Sequence, residues 1–324
     1  MPSIDRRTVL AILLAAATPL RAFAQSGYPA RPIRIVVGFA AGGAPDALAR
    51  IVAEKLGQNW GQPVTVENRV GAQGNTAMAA VAKADPDGHT LALVPVGNAA
   101  VNPSLFANLP YDPVKDFAPV TQLASVENVF VVAGSSPWAS LPELIAAGRT
   151  GPLTYASPGA GSLAHLGAEL LARSAGFAMT HVPYRGVAPA LTDVLRGEIS
   201  VMLAQLSTAK PLIESGQLRA LAIASPGRSA LMPAVPTVAE AAGLPGFEAV
   251  SWYALMAPAA TPAAIVAQLN KAVSDALKAP DMAAALEAQG ARAIGGTPAE
   301  LSAVIAADTA RWGRLVRDAG IKAN

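Results

Sequence analysis

Two short glycine-rich stretches hold the most pointed chemistry in the sequence. Phe39 to Asp46 contains Gly42 and Gly43, and Ser157 to His165 contains Gly159 and Gly161. Each follows a short apolar run and precedes a helical pattern. Such a turn presents backbone N–H groups, and the helix behind it adds partial positive charge at its N-terminus. An anion is favoured there without any lysine or arginine. Glycine-rich turns between strand and helix are also common packing devices, so each turn taken alone reads as structure too. Neither is a nucleotide loop: no Gly-Lys-Ser/Thr follows, and G-x-G-x-x-G is not completed.

The polar residues near these turns have two readings each. Asp46 either faces a ligand or caps the first helix. Ser157 and Ser162 offer hydroxyls to a carboxylate, and Ser162 equally suits an N-cap. His165 sits one turn into its helix, a place for a packed or surface histidine rather than a base. His89 and His181 lie in separate segments without an acidic partner in sequence. No G-x-S-x-G elbow and no H-E-x-x-H motif occurs. The absence of cysteine excludes thiol catalysis, iron–sulfur clusters and Cys-ligated zinc. A dispersed acid–base pair would leave no such signature.

The elements that must position these turns alternate in type. Ile33 to Val37, Val64 to Val66 and Leu91 to Val94 read as strands. Asp46 to Trp60 and Thr76 to Lys83 read as helices, with Leu48, Ile51, Val52 and Leu56 at helical spacing. The middle repeats the theme. Strands are expected at Val129–Ala133, Leu153–Ala156, Ser200–Leu203 and Leu218–Ala224. Helices are expected at Leu141–Ala147, Ser162–Ala175, Ala188–Arg196 and Thr237–Ala242. Trp252 to Met256 is a further strand, and Pro262–Lys278, Met282–Ala288 and Ala299–Ala319 are helices. Alternation of this kind predicts an α/β fold with mostly parallel sheets flanked by helices. Two lobes follow from the length of 324 residues and from the duplicated strand–glycine turn–helix unit.

Charge narrows the partners. Arg6 and Arg7, the apolar run Val9 to Ala17 and the small-x-small Ala22-Phe23-Ala24 read as a signal peptide cleaved after Ala24. The export route, Sec or twin-arginine, stays open. Removing Arg6, Arg7, Arg21 and Asp5 from 24 basic and 22 acidic residues leaves 21 of each, a net charge of zero. With no basic cluster in the mature chain, nucleic-acid binding is not expected.

Ordered blocks along the whole mature chain carry a family resemblance. They include Tyr28-Pro29-Ala30-Arg31-Pro32, Phe39-Ala40-Ala41-Gly42-Gly43, Val66-Glu67-Asn68-Arg69, Leu109-Pro110-Tyr111-Asp112-Pro113, His181-Val182-Pro183-Tyr184-Arg185-Gly186, Val235-Pro236-Thr237 and Ser251-Trp252-Tyr253. In these the chain resembles the Bug-type extracytoplasmic solute receptors of the tripartite tricarboxylate transporter family. The resemblance implies a type II periplasmic-binding-protein fold with a ligand cleft between two lobes. Lobe 1 would comprise residues 25–130 and 251–324, and lobe 2 residues 131–250, with crossings near Val129 to Val132 and Trp252 to Ala257. It implies a non-enzymatic, periplasmic protein without cofactor or metal, and a monomer is the default expectation. Such a protein captures a small organic carboxylate for membrane permease subunits or, alternatively, for a sensor kinase. Carried over to this chain, the ligand-binding residues are Phe39, Ala41, Gly42, Gly43, Asp46 and Asn98 from lobe 1. From lobe 2 they are Ser157, Gly159, Gly161, Ser162, His165, Tyr184, Ala188 and Gln205. The chain departs from the family pattern at Gly38, Ala44-Pro45, Pro158, Ala160 and Ala204-Gln205, mostly by losing polar groups. A less polar ligand, an aromatic or longer aliphatic carboxylate, is therefore expected.

Overall fold

The computed structural model describes residues 27–322, so the expected signal peptide lies outside the described residues. Strand β1 is Ile33–Val37, whose four apolar residues are all buried. Helix α1, Ala44–Trp60, starts with Pro45 in its first turn, where a missing N–H costs nothing, and buries Leu48, Val52 and Leu56 at four-residue spacing. Gly61 in the left-handed region ends it. Strand β2 (Val64–Asn68), helix α2 (Asn75–Ala82) and strand β3 (Thr90–Pro95) complete two parallel crossovers. A π-helical turn at Gly97–Val101 leads into the short helix α3, Asn102–Leu105.

The chain then changes sheet. Strand β4 is Phe117–Val126 and β5 is Asn128–Ala133, with only Glu127 between them. After β5 come α4 (Leu141–Thr150), β6 (Thr154–Ser157), α5 (Leu163–Ala175), β7 (Thr180–Pro183), α6 (Val187–Leu195), β8 (Val201–Gln205), α7 (Leu206–Glu214), β9 (Leu218–Ile223) and α8 (Val238–Ala242). Strand β10, Ser251–Pro258, returns to the first sheet. Helices α9 (Ala263–Leu277) and α10 (Pro280–Ala288), strand β11 (Ala291–Gly295) and helix α11 (Pro298–Ala319) finish it.

The first sheet has six strands in the order β11-β4-β10-β3-β1-β2, and the second has five in the order β7-β6-β8-β5-β9. Strand β1 pairs parallel with β2 and β3, whereas β10 runs antiparallel to β3 and β4, and β11 antiparallel to β4. In the second sheet β6 is parallel to β7 and β8, and β5 is antiparallel to β8 and β9. Both sheets are thus mixed, where the alternation predicts mostly parallel ones. The antiparallel pairs all involve β4, β5 or β10, the strands beside the crossings. Strand β4 leaves the first sheet for the second, whereas β5 and β10 each arrive from the other sheet, and a strand that arrives without a covering crossover helix is not bound to the parallel direction. The first crossing falls at Glu127, so the expected edge at residue 130 lies inside β5.

Three apolar clusters hold the described residues together. One packs Ile33, Ile35 and Leu91 against α1 and α9. A second packs Val129, Val131 and Met202 against α6 and α7. The third is shared: Ile305 and Trp312 of α11 belong with Val94 of the first sheet and with Phe130, Leu166 and Leu171 of the second body.

Candidate functional site

Strands β1, β3, β6 and β8 all end at one cavity of about 500 Å³ between the two sheets. In open α/β sheets the carboxyl ends of parallel strands are where ligands sit, because loops there are free to diverge and helices begin there. Phe39, Ala44 and Pro45 line it from the first turn, and Pro158 to Ala164 from the second. Its floor includes Asn128, Ser251 and Trp252, where the chain crosses between sheets. Among the described residues that line it, none is Asp, Glu, Lys, Arg or His. Any charge on a ligand must be met by amides, hydroxyls and helix starts.

The second turn supplies such groups. Ser162 is the N-cap of α5: its Oγ accepts from the His165 amide at 3.3 Å and donates to the Gly159 carbonyl at 2.8 Å. Both readings of Ser162 hold, since it also borders the cavity. The next two N–H groups, of Leu163 and Ala164, donate to no protein acceptor among the described residues. Gly161 has φ of 75°, and a Cβ there would collide with the side chain of Leu105 from the opposite body. Glycine is required twice over, by its left-handed backbone and by this close approach.

His165 is not a cavity residue. Its Nδ1 accepts the Gly161 amide at 3.0 Å, which fixes the turn from behind. Its ring stacks on His181 at 3.8 Å between centroids, and His181 stacks in turn on Tyr155. Ser157 Oγ bonds His181 Nε2 at 2.6 Å, and Tyr155 donates to Glu169 at 2.6 Å. Burial pushes His165 down to about 4, and burial together with the neighbouring His165 pushes His181 down to about 4. Both rings are neutral in the ordinary range, as stacked imidazoles must be.

The first turn is organised differently from expectation. Asp46 neither caps α1 nor lines the cavity. It is buried in the first turn, where Oδ2 accepts from the Gly42 amide and from Arg50 Nε, each at 2.9 Å, and Oδ1 accepts from Asn68 at 2.9 Å. The Arg50 bond first, then the Gly42 amide and Asn68, hold the carboxyl down to about 2 against the effect of burial. The Gly42 amide, expected to face an anion, is therefore already spent on Asp46. Ala41 and Gly43 do not line the cavity either, whereas Ala44 lines it with an N–H that meets no protein acceptor among the described residues.

Asn98 lines the cavity and is pinned in place. Its Nδ2 donates to the Gln73 carbonyl and to Asn75 Oδ1, each at 3.1 Å, while Tyr111 donates to its backbone carbonyl at 2.9 Å. Burial lifts the Tyr111 hydroxyl to about 12, so it stays a donor. Gln205 lies on the far wall and reaches Tyr253 Oη at 3.4 Å. Tyr184 instead points to Asp193, to which it donates at 2.7 Å, and Ala188 borders a separate, neighbouring groove. So Phe39, Asn98, Gly159, Gly161, Ser162 and Gln205 meet at the cavity, Ser157, His165 and Asp46 brace its turns, and Tyr184 does neither. Reading the sequence site by site missed Gln73, Asn102, Asn128, Thr208 and Val187 in the lining. Asn128 was accessible as a polar residue opening an apolar strand. Gln73 had no signal: it owes its place to a left-handed backbone at φ 55°.

The geometry so far is that of a binding cleft, and residues 48–321 match the family described as "Tripartite tricarboxylate transporter family receptor". The chain belongs to this receptor family. Protein BugT of Bordetella pertussis is 39% identical over 317 residues, covering 97% of each chain. Among solved structures, the R. palustris protein Rpa4515 with adipate is 37% identical with a TM-score of 0.82, over 92% of this chain and 100% of that one. MatC of Rhodopseudomonas palustris, with bound malate, is 35% identical with a TM-score of 0.76, over 89% and 100%. A tripartite tricarboxylate receptor is a solute-binding protein and not an enzyme. Receptors of the family are periplasmic, and among the described residues no helix is long and apolar enough to cross a membrane.

Proposed function

We propose that this receptor captures a small carboxylate between its lobes in the periplasm and delivers it to the membrane subunits of a tripartite tricarboxylate transporter. One observation supports the reading above the rest. Among the described residues, the cavity carries no charged side chain and is bordered by the first turns of α1 and α5, with the amides of Ala44, Leu163 and Ala164 unspent. A carboxylate at these turns accepts charge-assisted hydrogen bonds and gains from two helix starts. The same two helix starts disfavour a cation. The similar proteins solved with adipate and with malate fit a carboxylate class and leave the acid open.

The test is a thermal-shift screen of the receptor against aliphatic and aromatic carboxylates and equivalent amines. A ligand at about 100 times its Kd adds about 2.7 kcal/mol of stability. Stabilisation by one or more acids and by no amine is expected. Stabilisation by amines, or by none of the acids with a protein shown by mass spectrometry to be empty, contradicts the proposal.

A further inference from the structure

The turn between β2 and α2 runs against the preference of L-residues. Ala72 has φ of 44° and Gln73 φ of 55°, and among the described residues they are the only non-glycines with positive φ. Gly71 and Gly74 flank them at 154° and 89°. In the left-handed region Cβ crowds the neighbouring carbonyl oxygen, so a side chain is disfavoured where glycine is not. The surroundings impose the conformation. The Gly74 amide closes the turn on the Gly71 carbonyl at 2.9 Å. Asn98 Nδ2 donates to the Gln73 carbonyl at 3.1 Å, and Asn98 is itself buried and held by Asn75 and Tyr111. A Cβ on Gly74 would meet the Asn98 side chain and the Phe39 ring at 3.0 to 3.2 Å, so the turn lies tight against two residues of the cavity wall.

The two strained residues differ in what they reach. Ala72 does not line the cavity, whereas Gln73 does. Gln73 is exposed, and its carboxamide bonds to no partner among the described residues. Backbone strain of this kind persists where the surrounding structure enforces it, and it gathers at ligand sites. The carboxamide brings donors and an acceptor without charge. It can bond a hydroxyl, a carbonyl or a carboxylate oxygen, whereas an alkyl group in the same place would leave it unpaired. Gln73 belongs to neither glycine turn. Resting on the carboxylate reading above, we propose that Gln73 is a specificity-determining residue. It hydrogen-bonds a polar group of the ligand remote from the carboxylate at the helix starts, and the left-handed turn holds it there.

The experiment is calorimetric titration of the whole receptor with acids matched in shape, hexanoate against adipate and benzoate against terephthalate. Ala72→Gly, Gln73→Gly and Gln73→Asn are titrated in parallel, and each is melted without ligand. Both glycine variants relieve a left-handed side chain, so each should raise the melting temperature by about 2 °C. Ala72→Gly should bind every acid as the parent does. Gln73→Gly should lose about fivefold or more on adipate or terephthalate, the scale of one hydrogen bond, and keep the parent's affinity for hexanoate and benzoate. Gln73→Asn retains the carboxamide one methylene short and should lose affinity for the same acids. Equal losses in the two glycine variants, equal losses on matched acids in Gln73→Gly, or no loss in Gln73→Gly would overturn the proposal. A parent that binds hexanoate or benzoate but neither diacid would overturn it as well and leave the carboxylate reading standing. Failure of every acid would overturn that reading itself.

Discussion

Single side chains in this receptor brace the site more often than they line it. Asp46 joins the first turn, helix α1 and strand β2 through Gly42, Arg50 and Asn68. Asp46→Asn keeps the shape and removes the charge, so it should cost about 1.5–3 kcal/mol, the range for a hydrogen bond to a charged group. Urea unfolding at neutral pH measures this. The imidazole pair gives a prediction in pH. His165 and His181 have an ordinary value of 6.5 and are held near 4 in the folded protein. Between these values the unfolded chain binds more protons, so stability is complete above 6.5 and falls as pH drops toward 4. Protonating His165 also removes the acceptor of the Gly161 amide, so ligand affinity should fall in the same window. Melting temperatures from pH 7 to 4 should show the loss, and His165→Gln should reduce it to the part that His181 contributes. A profile that is flat in the parent protein contradicts the assignment. These braces were hard to read from sequence for a physical reason. Asp46 and Asn68 are 22 positions apart, and His165 and His181 meet only because β6 and β7 pair. The choice between ligand and cap for Asp46 missed a third role, that of an internal anchor.

Helices and strands set where the amides point, and here local sequence was more informative. The glycine turns, the strands before them and the helices after them lie where period and punctuation put them. Ser162→Ala removes the cap of α5 and should cost about 1 kcal/mol. It should also weaken carboxylate binding, since the first turn loses its fixed direction; chemical denaturation and titration read the two effects separately. Gly161→Ala forces a left-handed alanine, about 1–2 kcal/mol, and drives a methyl into Leu105. It should therefore destabilise more than Ser162→Ala and lower affinity as well. The sequence was silent on β4, β7, β11 and α7. Strand β4 contains Pro119 and helix α7 contains Pro211, residues that argue against each element. In β4 the proline sits at a register shift opposite Met256, where a missing N–H does not break the ladder. Such compensation belongs to the partner strand and leaves no trace in the local pattern.

At the scale of the whole molecule the two bodies are joined by more than the crossing strands. The cluster around Trp312 spans both, and Arg173 of α5 donates to the Asp318 carbonyl of α11 at 2.9 Å. Neither Arg173 nor Asp318 lines the cavity. A ligand touching both turns binds the approached arrangement better and so shifts the population toward it. Composition and alternation had already indicated two α/β bodies, and the family resemblance placed the cleft between them. Mixed pairing escaped both, because it depends on which strands cross. The central claim is that an uncharged cavity holds a carboxylate through helix-start amides. Titration calorimetry of the receptor with an acid that binds, set against its primary amide of equal shape, tests it most directly. The account predicts one site per chain, and an amide at least about tenfold weaker, the loss of one charge-assisted hydrogen bond. Equal affinity for acid and amide would contradict it.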